Sequence, residues 1–112
     1  MARFASFLQI AVEQGASELH VRAGHVPVVR HDGELIEIPF RVLSDLEAGQ
    51  LVEEIMSPEQ RDQFVRTKDL YLLYHLPGVG RFRVNAFFHH GGPGAVFRII
   101  PPRPPTLDEL VL

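Results

Sequence analysis

The sequence predicts one α+β domain on a mostly antiparallel sheet, in the order helix, three strands, two helices, three strands. Three observations predict it. Apolar residues recur at three- and four-residue spacing in some segments and alternate strictly in others, the two signatures of helix and half-buried strand. The strands are joined by links of hairpin length, which antiparallel pairing permits and parallel pairing does not. The chain has 112 residues, 46% of them apolar, which suits a single globular domain and excludes a two-domain enzyme.

The first helix rests on Phe4, Phe7, Leu8, Ala11 and Val12, with Gly15 where a helix commonly ends in the left-handed conformation. Glu18 to Arg22 alternates polar and apolar and reads as a half-buried strand that Gly24 breaks. Val26 to Arg30 and Leu35 to Ile38 are two short strands joined through Asp32-Gly33, a strong hairpin signal. Two helix starts follow as capping boxes. Ser44-Asp45-Leu46-Glu47 precedes Leu51, Val52 and Ile55, and Ser57-Pro58-Glu59-Gln60 places proline where its missing N–H costs nothing. Asp69 to Leu76 reads as a strand ended by Pro77-Gly78, and Arg81 to Phe88 and Ala95 to Ile100 as two more, linked by a loop from His89 to Gly94. The run Pro101-Pro102-Arg103-Pro104-Pro105 favours a stiff extended linker. Thr106-Leu107-Asp108-Glu109 then starts a third capped helix that the chain end cuts short. Two alternatives stand: residues 1–100 form a domain and 101–112 a linker into something further, or the tail docks back on the domain.

Composition removes several function classes. With no cysteine there are no thiol nucleophiles, disulfide frameworks or Cys-type zinc sites, which fits a reducing compartment. No apolar run approaches the ~20 residues that span a bilayer, and no secretory signal is read at the start. No internal repeat is present. Lys68 is the single lysine and no G-x-x-x-x-G-K-[ST] loop surrounds it, so the chain alone is not a P-loop ATPase. Gly78-Val79-Gly80 reads as a turn rather than a dinucleotide fingerprint. The six histidines, His20, His25, His31, His75, His89 and His90, include no i,i+4 pair, so a metal site would need them to converge in space; His20 reads as a hydrogen-bonded structural residue. A net charge of −3 and one lysine make nucleic acid a poor partner.

Charge is more telling by segment. Ser44 to Asp69 carries Asp45, Glu47, Glu53, Glu54, Glu59, Asp62 and Asp69 against Arg61, Arg66 and Lys68. His75 to Pro105 holds Arg81, Arg83, Arg98 and Arg103 and neither Asp nor Glu. In the strand from Arg81, Phe82, Val84, Ala86 and Phe88 face one way while Arg81, Arg83 and Asn85 face the other. If Phe88 lies opposite Ala95, Asn85 faces Arg98, with Arg83 its diagonal neighbour on the same side. Such a cluster matches the oxygens of a phosphate. On pattern alone the commoner outcome is solvated arginines, or arginines paired with carboxylates from elsewhere, such as the acidic helices. A one-residue slip would move Arg98 to the other face.

Gly15-Ala16-Ser17-Glu18-Leu19-His20-Val21, Asp32-Gly33, Pro77 to Phe87 and Gly94 to Pro101 occur in an order and spacing that resembles a known family. It is the N-terminal domain of the type IV pilus retraction, or twitching-motility, ATPases of the secretion-ATPase superfamily. The resemblance implies a PAS-like fold joined to a RecA-like domain that carries the Walker motifs and binds ATP and Mg. It implies homo-hexameric rings, with this domain packed on the RecA-like domain of the same and neighbouring subunits. It further implies a cytoplasmic, membrane-peripheral machine that meets the inner-membrane pilus platform protein. Carried to matching positions, the nucleotide phosphate contacts are Arg83, Arg98 and Arg81, and no cofactor is expected tightly bound to this chain alone. Two places depart from the family's usual pattern: Glu18, where Asp is usual, and His89-His90-Gly91, where an amide and an arginine often stand. The alternative reading is a stand-alone PAS-like module for a small ligand or protein partner, which predicts an enclosed apolar pocket; the motor reading predicts a filled core and an open cationic face.

Overall fold

Two hairpin-linked strand trios, separated by a helical segment, join into one sheet in the structure, a computed structural model that describes residues 3–89 and 92–101. The elements are α1 (Arg3–Glu13), β1 (Glu18–Arg22), β2 (Val28–His31), β3 (Glu34–Glu37), α2 (Asp45–Glu54), α3 (Pro58–Thr67), β4 (Asp69–Leu76), β5 (Gly80–His89) and β6 (Gly92–Ile100). The sheet order is β3-β2-β1-β6-β5-β4, and every pairing is antiparallel. The α+β class and the element order are those the sequence predicts.

This topology decides where the helices go. β3 and β4 lie at opposite edges of the sheet, so the chain between them must cross its whole width. It does so as α2 and α3, which with α1 cover one face. That face presents the apolar half of each alternation: Leu19 and Val21, Val29, Leu70 and Leu72, Phe82 and Val84, and Phe97 are all buried. Leu8, Leu51, Val52 and Phe64 from the helices fill the same cluster. The Phe97 ring meets Phe82 edge to face at 6.4 Å, and Phe64 stacks on Phe88 at 4.8 Å. No charged or polar side chain is buried among the described residues, so the core is apolar throughout.

Local signals account for the element ends. At α2 and α3 both capping boxes form: Glu47 N–H donates to Ser44 Oγ and Gln60 N–H to Ser57 Oγ, with the acid or amide reaching back to the cap N–H. α3 closes at Lys68, whose left-handed backbone (φ 62°) turns the chain directly into β4. Asp32 and Gly33 both have positive φ, 52° and 82°, as a two-residue hairpin with the right strand twist requires.

Several strand boundaries differ from expectation, most by a single residue, and three of them have a visible cause. β2 begins at Val28 rather than Val26, because Pro27 has no N–H to give to a ladder. β3 ends at Glu37, since Ile38 donates its N–H to Pro27 and turns its side chain into the core. β6 begins at Gly92, not Ala95. The glycines there read as loop but serve close approach: a Cβ on Gly94 would lie 2.9 Å from Arg22 Cγ and from Phe87 Cε1. Of the linker and third capping box expected over 101–112, residues 102–112 lie outside the described residues.

Candidate functional site

The face of the sheet away from the helices carries the polar half of each alternation. Its central row runs Leu73, Arg83, Arg98, Glu18, Arg30, Leu35, one residue from each strand and each directly opposite the next. Beside it runs Tyr71, Asn85, Val96, His20, Val28, Glu37. The expected Phe88–Ala95 pairing does not occur. Phe88 pairs with Pro93, Asn85 with Val96 and Arg83 with Arg98 itself. The physical reason is the early start of β6, which shortens the link and moves the register by two residues. A shift of two conserves the face, so the arginines meet more directly than expected. Arg81, opposite Ile100, shares the face but stands one step further along it.

The pair forms the wall common to two open grooves. One, of about 510 Å³, is lined by Tyr71, Leu72, Leu73, Arg83 and Arg98. The other, of about 250 Å³, is lined by Arg83, Arg98, Ile99, Ile100 and Pro101. Arg83 is exposed and has no ion-pair partner among the described residues. Next to it the amide oxygen of Asn85 is buried with no hydrogen-bond partner.

Arg98 is not bare. Its Nε lies 3.4 Å from Glu18 Oε2. Arg30 Nε donates to Glu18 Oε1 at 3.3 Å, and His20 Nε2 to the same oxygen at 2.8 Å. The hydrogen bond from His20 is the largest influence on Glu18; burial opposes it, and Arg30 and Arg98 reinforce it, leaving the carboxyl below its ordinary 4.5. A compensating carboxylate therefore exists, but it comes from β1 rather than from the acidic helices. Sequence reasoning missed Glu18 and Arg30 as members of the site, because β1 reaches β6 across most of the chain. The available signal was the polar alternation Glu18, His20, Arg22. His20 is hydrogen-bonded, as read.

Three guanidinium groups against one carboxylate give the row a net positive charge and, at Arg83 and Arg98, room for an oxyanion. A pair of opposed guanidinium forks can take several oxygens of one phosphate chain at once. Among the described residues no three His, Asp or Glu side chains converge as a cation site would require.

The chain is 41% identical over 103 residues to the type IV pilus retraction ATPase PilT of Pseudomonas aeruginosa, an alignment covering 92% of this chain and 30% of that protein. It superposes on the crystal structure of the pilus retraction motor PilT with bound ADP with a TM-score of 0.86 at 29% identity, over 93% of this chain and 31% of that one. The chain belongs to the family of PilT N-terminal domains. The ATPase DotB of Legionella pneumophila shares the fold with a TM-score of 0.75 at 30% identity, over 97% of this chain and 31% of that one. No protein-family model matches. This PilT-type domain spans about a third of the length of the relatives it matches, and the secretion-type ATPase character is theirs as whole proteins. None of its described helices is long and apolar enough to cross a membrane.

Proposed function

We propose that the chain serves as the N-terminal domain of a hexameric type IV pilus motor ATPase, packing between subunits and lending Arg83 and Arg98 to an ATP site held elsewhere. Arg81 is the third, outlying contact. The observation that carries this reading is the direct opposition of Arg83 and Arg98 at the wall of two open grooves. Like charges in that position destabilise a sheet, and Glu18 offsets only one of them. A triphosphate would offset both.

In this role the domain performs no bond-breaking step. ATP and Mg would sit on a RecA-like domain of the same or the neighbouring subunit, since the sequence holds no Walker loop. The arginines approach the phosphates from the sheet face and neutralise charge that develops in phosphoryl transfer, as arginine fingers do. Residues 101–112 would carry the chain to the RecA-like domain. The ring would work in the cytoplasm against the inner-membrane platform of the pilus.

The test is ATP turnover of the full-length protein. Arg83→Ala and Arg98→Ala should each lower it at least about a hundredfold, given what one transition-state arginine contributes. Both side chains are exposed, so melting temperatures should stay within a few degrees of wild type. Turnover unchanged in both variants removes the role.

A further inference from the structure

Two charged side chains in the central row, Glu18 and Arg30, are given no contact with phosphate in the function proposed above, and Glu18 is the one that meets Arg98. Glu18 lies between Arg98 and Arg30 in the register and is one-fifth exposed. Its oxygens are divided: Oε1 serves His20 and Arg30, while Oε2 faces Arg98 alone. Arg98 is half exposed, and an ion pair open to solvent on one side contributes little to folding, so stability is a weak reason for it.

Two features of the geometry give a better one. The first is the edge of Arg98 that Glu18 holds. A guanidinium can grip an oxyanion along its side, through Nε, or across its end, through Nη1 and Nη2. Glu18 contacts Nε, which leaves the end of the fork for a second anion in the grooves that Arg98 lines. The second is that Glu18 is itself braced. His20 holds it from two residues along the same strand and Arg30 from the strand beyond. A carboxylate tied at one oxygen by two donors is an anchor, not a mobile competitor that a phosphate must dislodge. The need for an anchor follows from Arg83. Directly opposite Arg98, it repels the guanidinium, and among the described residues Glu18 on the other side is what holds it back.

We propose that Glu18 is the positioning residue for Arg98, clamping the side of its guanidinium so that the Nη1–Nη2 end is presented to a phosphate beside Arg83. The inference deepens the phosphate-contacting role proposed for this face and rests on it. Glu18→Gln is the informative change: the amide keeps the size but loses the charge, and its NH2 group cannot accept from an arginine or histidine donor.

In the full-length ATPase, Glu18→Gln should lower kcat between about tenfold and a hundredfold, the cost of a misplaced contact group, with KM for ATP little changed. Glu18→Gln/Arg98→Ala should be no slower than Arg98→Ala alone, because the clamp has nothing left to position. Glu18→Asp, which keeps the charge, should fall between wild type and Gln and guards against a variant that merely misfolds. A Gln variant with wild-type kcat, or a double variant that loses the product of the single effects, overturns the proposal. A second readout is independent of catalysis: the Arg98 Nε–H resonance, followed by NMR in the 112-residue chain, should move in Glu18→Gln, because the carboxylate charge 3.4 Å from Nε is removed. An unmoved resonance overturns the clamp. If instead Arg98→Ala leaves turnover intact while the resonance moves in Glu18→Gln, the clamp stands and the phosphate role falls.

Discussion

Substituting Arg83 by glutamate reverses the sign of one member of the central pair and leaves the core untouched, because the side chain lies on the exposed face. Directly opposed residues in an antiparallel pair have Cβ atoms about 5 Å apart, and two extended guanidinium groups can spread to roughly 7 Å. In a water-like dielectric, unit charges at that separation interact by about 0.6 kcal/mol. Turning repulsion into attraction therefore shifts stability by about 1 kcal/mol at low salt. Near physiological ionic strength, where the screening length is about 8 Å, rather less than half of that remains.

For a domain of this size 1 kcal/mol moves the melting temperature by about 4–8 °C. The 112-residue chain carrying Arg83→Glu should thus melt several degrees above wild type in about 10 mM salt. The gain should shrink towards zero at about 1 M, where the screening length is about 3 Å. In the full-length ATPase the same change should depress turnover at least as far as Arg83→Ala, since a carboxylate now faces the phosphates. A melting temperature at or below wild type in low salt, or a gain indifferent to salt, would refute the reasoning. More stability with less activity would mean the like-charged pair is kept for a ligand at the fold's expense.

Two further outcomes follow from the same geometry. Gly94→Ala should destabilise the domain by about 1–3 kcal/mol, the usual cost of overpacking, because the new Cβ would lie 2.9 Å from the Phe87 ring and 3.0 Å from the Val21 carbonyl oxygen; a chemical melt that matches wild type would contradict the close approach. Glu18 sits below its ordinary 4.5 in the folded state, so its ionised form stabilises the domain at neutral pH, and that contribution is lost as pH falls from about 4.5 through the lower folded value. Glu18→Gln should flatten this acid limb of stability against pH, and an unchanged limb would contradict the bracing by His20 and Arg30.

Legibility in the sequence follows the distance over which each feature is determined. Ser44 and Ser57 announce helices three residues ahead, and both caps form as written. β4 is read with its observed limits, Asp69 and Leu76, because its alternation is bounded by turn residues close at hand. The exposed faces of β5 and β6 are read for the same reason: the register differs from the expected one by two, an even shift, so a period of two keeps Arg83 and Arg98 on one side. The pairing itself is not local. Whether Gly92 to Gly94 is loop or strand depends on Arg22, Ala23 and Phe87 lying against it, and no short window contains them. Glu18 is hidden by the same distance, since its partnership with Arg98 exists only once β1 has been placed beside β6.

The core also explains why this face can hold two arginines in fixed relation. Arg83 is flanked by Phe82 and Val84 and Arg98 follows Phe97, and all three apolar residues are fully buried. Moving either arginine's backbone would pull an aromatic or branched side chain out of a filled cluster, and interiors packed to crystal density resist that. The spacing of the pair is therefore a property of the core, while the direction of the Arg98 fork is a property of Glu18. In the proposed motor the sheet carries the backbones of the two arginines towards or away from the phosphates together, as a rigid body. Gating of the ATP site then belongs to the movement of the whole domain rather than to rearrangement within it.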